Sequence, residues 1–393
     1  MSQDSVVIVS AARTPMGGMM GVFSDVRSPD LCATAIRAAV EKAGINPADI
    51  DEVIMGCVLP AGLGQAPARQ ASRAAGIPDA AGATTINKMC GSGMKAVMLA
   101  HDQIMAGQVN IMLAGGMENM SQSPYLLPKA RAGMRMGHAQ VIDHMFFDGL
   151  EDAYEGGLMG AFAQKSADDF NVTREAMDDF AIGSLNKALK AIETGAFKDE
   201  IAAVTVKSRK GDRIVDTDEQ PGNARMDKIR SLNPAFKKDG TITAANSSSI
   251  SDGGSALLLM KESDAKARGL KPLARIVAHS THAQLPAEFT IAPIGAIQKV
   301  LKKAGWSKDD VDLYEINEAF AVVSMLAISE LGLDADKVNV NGGACALGHP
   351  IGSSGSRILV TLLYALKHAG KSKGVASLCI GGGEATAVAV EMI

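Results

Sequence analysis

The chain has 393 residues, 47% hydrophobic and 21% charged, too long for one ordinary domain of roughly 150 residues and unlike a disordered or fibrous composition. Its formal net charge of −4 lacks the basic excess with which nucleic-acid and membrane-surface proteins meet phosphates. No stretch approaches the roughly 18 uninterrupted apolar residues of a membrane span. The opening MSQDSVVIVSAARTP has neither the basic head nor the long apolar run of a signal peptide. A cytoplasmic protein with no nucleic-acid or membrane partner is therefore expected. The five cysteines, Cys32, Cys57, Cys90, Cys345 and Cys379, show no metal-type Cys-x-x-Cys spacing and fit a reducing compartment.

In chain order, the apolar run VVIV predicts an opening strand. KAGINPADIDEVI follows at 42–54, then a strand, glycine-rich turn and apolar helix in TTINKMCGSGMKAVMLAHDQIMAG, then the strand NIMLA and a double glycine. From Met120 to about Asn246 the pattern changes to loops and one clear helix, TREAMDDFAIGSLNKALKAIETG, opened by Thr173 as N-cap with acidic residues in its first turns. This region reads as an insertion. Toward its end Lys207, Arg209, Lys210, Arg213, Arg225, Lys228, Arg230, Lys237 and Lys238 crowd together, either a solvated face or an anion site for a phosphorylated ligand. The first pattern then returns. KAGWSKDDVDLYE at 303–315 repeats 42–54 without a gap, aligning Asp49 and Asp51 with Asp310 and Asp312. The segments VNVNGGACALGHPIGSSGSRILVTLLYALKHAG and VASLCIGGGEAT repeat the strand, turn, helix, strand, glycine order. Matching offsets and matching order imply a duplication and two related α/β halves. Short apolar strands such as NIMLA and VASLCI suggest parallel strands with helices on both faces.

Chemistry concentrates at the duplicated turns. Asn87-Lys88-Met89-Cys90-Gly91-Ser92-Gly93 puts Cys90 at a helix N-terminus, where free amides and the helix dipole favour a thiolate; locally, a buried inert cysteine is an equal reading. Gly91-Ser92-Gly93-Met94-Lys95-Ala96 also fits a dinucleotide fingerprint, but its strand does not open a βαβ unit and no acidic residue follows at the required spacing. In the second half His349, in Ala346-Leu347-Gly348-His349-Pro350, heads its own helix. Two turns meeting across a pseudo-twofold would pair a cysteine with a histidine, a standard way to activate sulfur. Cys379 precedes Gly381-Gly382-Gly383 at a strand end, and Asn317, in Asn317-Glu318-Ala319-Phe320, follows the strand LYEI.

The blocks VVIVSAARTPMG, LPAGLGQAPARQ, NKMCGSGMKA, AGGMENMS, TAANSSSISDG, INEAFA, NGGACALGHPIGSSGSRI and LCIGGG, in this order and spacing, resemble the thiolases over essentially the whole chain. The resemblance implies an α/β thiolase fold: two βαβαβαββ halves in a five-layer αβαβα arrangement plus an inserted loop domain. The expected divisions are an N-terminal half 1–119 completed by 247–270, a loop domain 120–246 that helps bind coenzyme A, and a C-terminal half 271–393. It implies an acetyl-CoA C-acyltransferase acting on coenzyme A thioesters with no tightly bound cofactor. Cys90 would be the nucleophile, His349 its base and Cys379 the second acid/base. His349 and a water on Asn317 would hold the enolate oxygen, and the amides of Cys90 and Gly381 the thioester oxygen. Met159, Ser248, Phe236, Ala319 and Phe320 would line the acyl and pantetheine tunnel. The chain departs from the pattern at Leu158, where several thiolases have histidine, so a pocket broader than acetyl is expected. Cys57, Cys345 and Ala292-Pro293-Ile294-Gly295 are further departures, and both cysteines are read as substitutions without a catalytic role. RAGMRMGHAQVIDHMFFDGL resembles the loop through which tetrameric members assemble, so a homotetramer built as a dimer of dimers is expected. The alternatives are a decarboxylating ketosynthase, which uses a second histidine where this chain has Asn317 and lacks Cys379, and a non-catalytic thiolase-like acyl-CoA or lipid carrier.

Overall fold

The computed structural model describes residues 4–209 and 211–393, so Lys210 of the basic cluster lies outside the described residues. The opening apolar run forms β1 (Val6–Arg13), buried along its whole length. It is followed by α1 (Ser28–Ala43), β2 (Glu52–Gly56), α2 (Pro67–Ala74), β3 (Gly82–Ile86), α3 (Ser92–Met105) and β4 (Ile111–Asn119). The middle segment contributes α4 (Met159–Asp169), α5 (Arg174–Thr194) and two short hairpins. Thr173 caps α5 by accepting a hydrogen bond from the Ala176 amide at 3.2 Å. The chain then completes the first sheet with β5 (Ser251–Lys261). The second half follows as β6 (Ala274–Ala283), α6 (Ala292–Ala304), β7 (Leu313–Ile316), α7 (Ala321–Leu331), α8 (Ile351–Ala369), β8 (Lys373–Ile380) and β9 (Glu384–Met392).

The strands run in the order β7-β8-β9-β6-β1-β5-β4-β2-β3. The two halves share one continuous sheet because Val7 and Ile8 of β1 pair with Arg275 and Ala274 of β6. Helices α3 and α8 lie between the halves, in contact with each other. α8 touches β4 and β5 on one side and β7 and β8 on the other. With α1 and α2 outside the first sheet, and α6 and α7 outside the second, the layers read α, β, α, β, α. The expectation of parallel strands holds only in part: β2 is parallel to β3 and β4, and β7 to β8, while β1, β5, β6 and β9 pair antiparallel. A crossover to a parallel neighbour needs a dozen or more residues. Between β8 and β9 there are only Gly381, Gly382 and Gly383, the last two at φ 92 and 84, so the chain must turn straight back.

The duplication has a physical counterpart in each half. Gly44 and Gly305 end α1 and α6 in the left-handed region, at φ 67 and 70. The Asp51 carboxylate accepts from the amides of Asn110 and Ile111 at the start of β4 (2.7 and 3.0 Å). Asp312 accepts from Ser372 and Lys373 at the start of β8 (3.0 and 2.9 Å). One difference is the strand predicted in VNVNGG, which reduces to a single bridge between Tyr314 and Val338. The next residue, Asn339, explains this: its side chain takes both the amide and the carbonyl of Ile316 at 2.8 Å, replacing a longer ladder.

The basic cluster is divided rather than gathered. Lys207, Arg209 and Arg213 lie on or beside one hairpin, whose Val204 and Val215 pack on Phe23 and Leu31. Arg230 pairs with Asp179, Lys237 with Asp168 and Arg225 with Asp227. Among the described residues no helix is long and apolar enough to cross a membrane, and all five cysteines are free thiols.

Arg13 ties the first sheet to the middle segment. Its fully buried guanidinium donates to Glu200 at 2.5 Å and to both oxygens of Asp218 at 2.7 and 2.9 Å. Arg13→Met leaves two carboxylates buried beside an apolar chain, and removal of one partner from such a group costs about 3–5 kcal/mol. The thermal midpoint of Arg13→Met is expected to fall by several degrees, and an unchanged melting curve would contradict this account.

Candidate active site

Between β3 and α3 the chain makes a tight elbow. Asn87 Oδ1 accepts from the Met89 amide at 2.8 Å, while Ser92 Oγ accepts from the Lys88 amide at 2.8 Å and donates to the Met89 carbonyl at 2.7 Å. These bonds hold Met89 at φ 47, a strained setting for a residue with a side chain, and leave Cys90 at the tip. Gly91 is required by its neighbour: a Cβ there would lie 2.3 Å from Ile380 Cδ1. Gly93 serves helix packing rather than a phosphate, since its Cβ would sit 2.5 Å from Ser356 Oγ.

The second elbow repeats the offset. His349 stands two residues before α8, as Cys90 stands two residues before α3. Gly348, at φ 102, lets the chain pass Ser251, and the His349 amide donates to the Ser249 carbonyl at 3.1 Å. His349 Nδ1 lies 2.5 Å from Ser354 Oγ, whose own hydroxyl donates to the Pro350 carbonyl at 2.9 Å. The Ser354 oxygen therefore accepts from Nδ1–H, which assigns the lone pair to Nε2. That Nε2 is buried with no partner among the described residues. Cys379 lies one residue from the end of β8. Just beyond it, the Gly381 amide and the amide of Cys90 itself both point at the Cys90 sulfur.

Cys90, His349, Cys379 and Gly381 share one cavity of about 400 Å³, together with Leu158, Met159, Phe236, Ser248, Ala319 and Phe320. Met159, at the start of α4, brings its sulfur to 3.5 Å from where a Gly381 Cβ would be. Phe236 lies so close to Gly160 that no Cβ fits between. Its ring meets Phe320 edge-on at 6.2 Å, and Phe320 meets Phe289 at 6.4 Å. The Ser248 amide donates to the Ala319 carbonyl at 3.0 Å, fixing that wall. Asn317 is the one predicted residue that does not line the cavity. It is buried after β7, its Oδ1 accepts from Arg357 at 3.5 Å, and its Nδ2 has no partner among the described residues. Cys57 donates to Glu118 at 3.7 Å and Cys345 to the Glu318 carbonyl at 3.7 Å; neither lines the cavity. Sequence reasoning missed Ser354, Phe146, Leu150 and Phe289. Only Ser354 carries a local signal, a hydroxyl in the first turn of the helix that His349 heads.

The electrostatics correct one expectation. Burial pushes the Cys90 thiol up to about 11, and the Gly381 and Cys90 amides offset only part of that. Burial, reinforced by the Arg357 charge, lowers His349 to about 3, and burial holds the Cys379 thiol well above its ordinary range. The site thus holds a neutral thiol beside a neutral imidazole, because desolvation outweighs the helix end that would favour a thiolate. Since His349 is in its base form above about pH 3, alkylation of Cys90 by iodoacetamide is expected to be nearly flat from about pH 5 to 8. In His349→Asn the rate must follow the bare thiol, rising about tenfold per pH unit across that range, as free thiolate does below its pKa. Equal slopes for the two proteins would refute the assignment.

Family models describe both halves: "Thiolase, N-terminal domain" matches residues 6–263 and "Thiolase, C-terminal domain" residues 270–392. An acetyl-CoA acetyltransferase of Cupriavidus necator is 50% identical over 388 residues, covering 98% of this chain and 99% of that protein. One from Pseudomonas aeruginosa is 49% identical over 385 residues, covering 98% of each. The crystal structure of the Bacillus anthracis acetyl-CoA acetyltransferase matches with a TM-score of 0.97 at 42% identity, covering 100% of this chain and 99% of that one. Agreement of both halves, of the full length and of the fold leaves one conclusion: the chain belongs to the thiolase family.

Proposed function

We propose that the protein is an acetyl-CoA C-acyltransferase that cleaves 3-oxoacyl-CoA with coenzyme A, or condenses two acyl-CoAs in reverse, through an acyl group on Cys90. The observation that carries this reading is the convergence of Cys90, His349 and Cys379 on one largely apolar cavity, with His349 Nε2 unpartnered among the described residues. In cleavage, Nε2 takes the Cys90 proton as the sulfur attacks the 3-oxo carbon. The oxygen of that carbon moves onto the amides of Cys90 and Gly381, which already face the sulfur. The carbon–carbon bond then breaks and its electron pair forms the enolate of acetyl-CoA, whose oxygen is held by the His349 Nε2 proton and by a water on Asn317 Nδ2. Cys379, kept protonated by burial, gives its proton to the enolate carbon. After acetyl-CoA leaves, the thiol of free coenzyme A attacks the acyl group and returns a proton to Cys379, and His349 returns its own to Cys90. Two half-reactions through one covalent intermediate give ping-pong kinetics.

Met159, Phe236, Ser248, Ala319 and Phe320 are assigned to the acyl and pantetheine tunnel. Segment 120–246 is assigned as a loop domain that receives coenzyme A, so coenzyme A thioesters act as substrates without a resident cofactor. A decarboxylating ketosynthase is less well supported, since Asn317 and Cys379 stand where that chemistry would use a histidine and no thiol. For assembly we favour a homotetramer. The support is an apolar surface on the loop resembling the assembly segment, with Met136 97% exposed and Val141 and Met134 also exposed, and the edge of β3, which among the described residues pairs with β2 alone. A cytoplasmic location accords with the free thiols.

Thiolysis of acetoacetyl-CoA, followed by ultraviolet absorbance, tests the whole reading. Cys90→Ala is expected to abolish turnover. Cys379→Ala should lose roughly 10²–10⁴-fold in cleavage, the range for a general acid or base, yet still accept an acetyl group from acetyl-CoA on Cys90. A mass spectrum of Cys379→Ala without that adduct would refute the division of roles. Leu158 gives the pocket an apolar wall, so six- to eight-carbon 3-oxoacyl-CoAs are expected to be cleaved with kcat/KM within roughly tenfold of the four-carbon substrate, the scale of small apolar discrimination. Activity confined to four carbons would overturn that expectation.

A further inference from the structure

Away from the cavity, the fold gathers a second set of donor atoms. His101 and Asp102 lie in the last turns of α3, about 15 Å along the helix from Cys90 at about 1.5 Å per residue. His279 lies on β6 of the other half. His101 Nδ1 is 3.0 Å and His279 Nε2 is 2.9 Å from the same oxygen, Asp102 Oδ1. Among the described residues, one donor atom from each of these three side chains lies within 4.8 Å of the others. The two imidazoles meet edge to face, with ring centroids 5.0 Å apart at 84°. Both nitrogens thus aim at one point instead of stacking past each other. Asp102 Oδ2 makes no hydrogen bond among the described residues, and the Asp102 side chain is 52% exposed, so water reaches the cluster from one side.

We propose that His101, Asp102 and His279 form a binding site for one zinc-like divalent transition-metal ion, with water as a further ligand. The spacing suits the ion. Tetrahedral zinc with bonds of about 2.0–2.1 Å separates its ligand atoms by about 3.3 Å. The two contacts of 2.9 and 3.0 Å need to open by only a few tenths of an ångström, and the imidazole nitrogens are at most 4.8 Å apart. The donor set also selects the metal. Two imidazoles and one carboxylate suit zinc, cobalt or nickel, whereas calcium and magnesium take oxygen ligands. Lys303, tied to the His279 carbonyl at 2.9 Å, places a like charge nearby, so binding rests on nitrogen coordination rather than on attraction between charges. A bound ion would tie α3, which follows Cys90, to β6 of the second sheet, adding to the His279–Asp102 hydrogen bond and the imidazole contact already there.

The test must keep this site apart from the cavity, where thiols also bind zinc. Isothermal titration of chelator-treated Cys90→Ser/Cys379→Ser protein with zinc chloride at neutral pH is expected to show one ion per chain. Cobalt chloride should give visible d–d bands with no thiolate-to-metal charge-transfer band. Loss of an outer-shell partner costs metal sites about 10–100-fold in affinity, so His279→Gln and His101→Gln, made in that background, should each lose at least that much. Zinc should raise the thermal midpoint of the parent and not of the variants, whose metal-free midpoints serve as the folding control. No stoichiometric uptake, a thiolate band, or uptake that survives both histidine changes would overturn the proposal. None of these outcomes bears on thiolysis, which is assayed in the unmodified enzyme.

Discussion

The close approach of two buried helices is the constraint on which the site depends. α3 and α8 touch because glycines let their backbones meet: a Cβ on Gly93 would fall 2.5 Å from Ser356 Oγ, and one on Gly355 would fall 2.5 Å from the Met94 amide nitrogen. Each helix begins two residues after a reactive side chain. Bringing the helix starts together therefore brings Cys90 and His349 together, and the glycine turn after β8 sets Cys379 and the Gly381 amide against them. Larger residues at the contact would push the helices apart, and both elbows with them. Protein interiors are close-packed and transmit such shifts rather than absorbing them.

Burial has a second consequence. It makes the isolated charges of a thiolate and an imidazolium costly, so both groups are neutral, and in the proposed mechanism charge forms only when a substrate carbonyl shares it. The amides of Cys90 and Gly381 face the sulfur before any ligand arrives, a donor arrangement that needs no reorganisation as charge develops. Ser354 has a matching role on the other side: by accepting from Nδ1 it leaves Nε2 as the basic atom directed at the cavity.

A set of buried polar atoms without a hydrogen-bond partner among the described residues lies behind this surface: Asn317 Nδ2, His349 Nε2, Glu315 Oε1, and Nε and Nη1 of Arg357. Buried groups of this kind are normally satisfied by protein or ordered water. Their concentration beside the cavity leaves a group of polar atoms open to ordered water next to the proposed reaction centre. Arg357, 3.5 Å from Asn317 Oδ1 and 3.9 Å from Glu315, turns the amide so that its NH₂ group is left for water.

Most of the local structure was legible in the residues themselves. Thr173 announces α5, the Lys-Ala-Gly repeats mark two helix ends, and Asp51 and Asp312 pin equivalent strands, because caps, turns and strand starts depend on neighbours within a few positions. The two elbows were also legible, since glycines around Cys90 and His349 signal tight turns before helices. The same reasoning failed at β9, where three glycines reverse the chain, and after Val338, where the Asn339 side chain replaces a ladder. For Cys90 it left an activated thiolate and a buried thiol as equal readings, since the burial that outweighs the helix end comes from distant segments. The duplication already suggested that the Cys90 and His349 turns meet, but the arrival of Cys379 beside them, the position of Asn317 behind the wall, and the gathering of His101, Asp102 and His279 belong to tertiary structure alone. Each depends on packing between segments far apart in the chain, whose separation no local pattern of residues encodes.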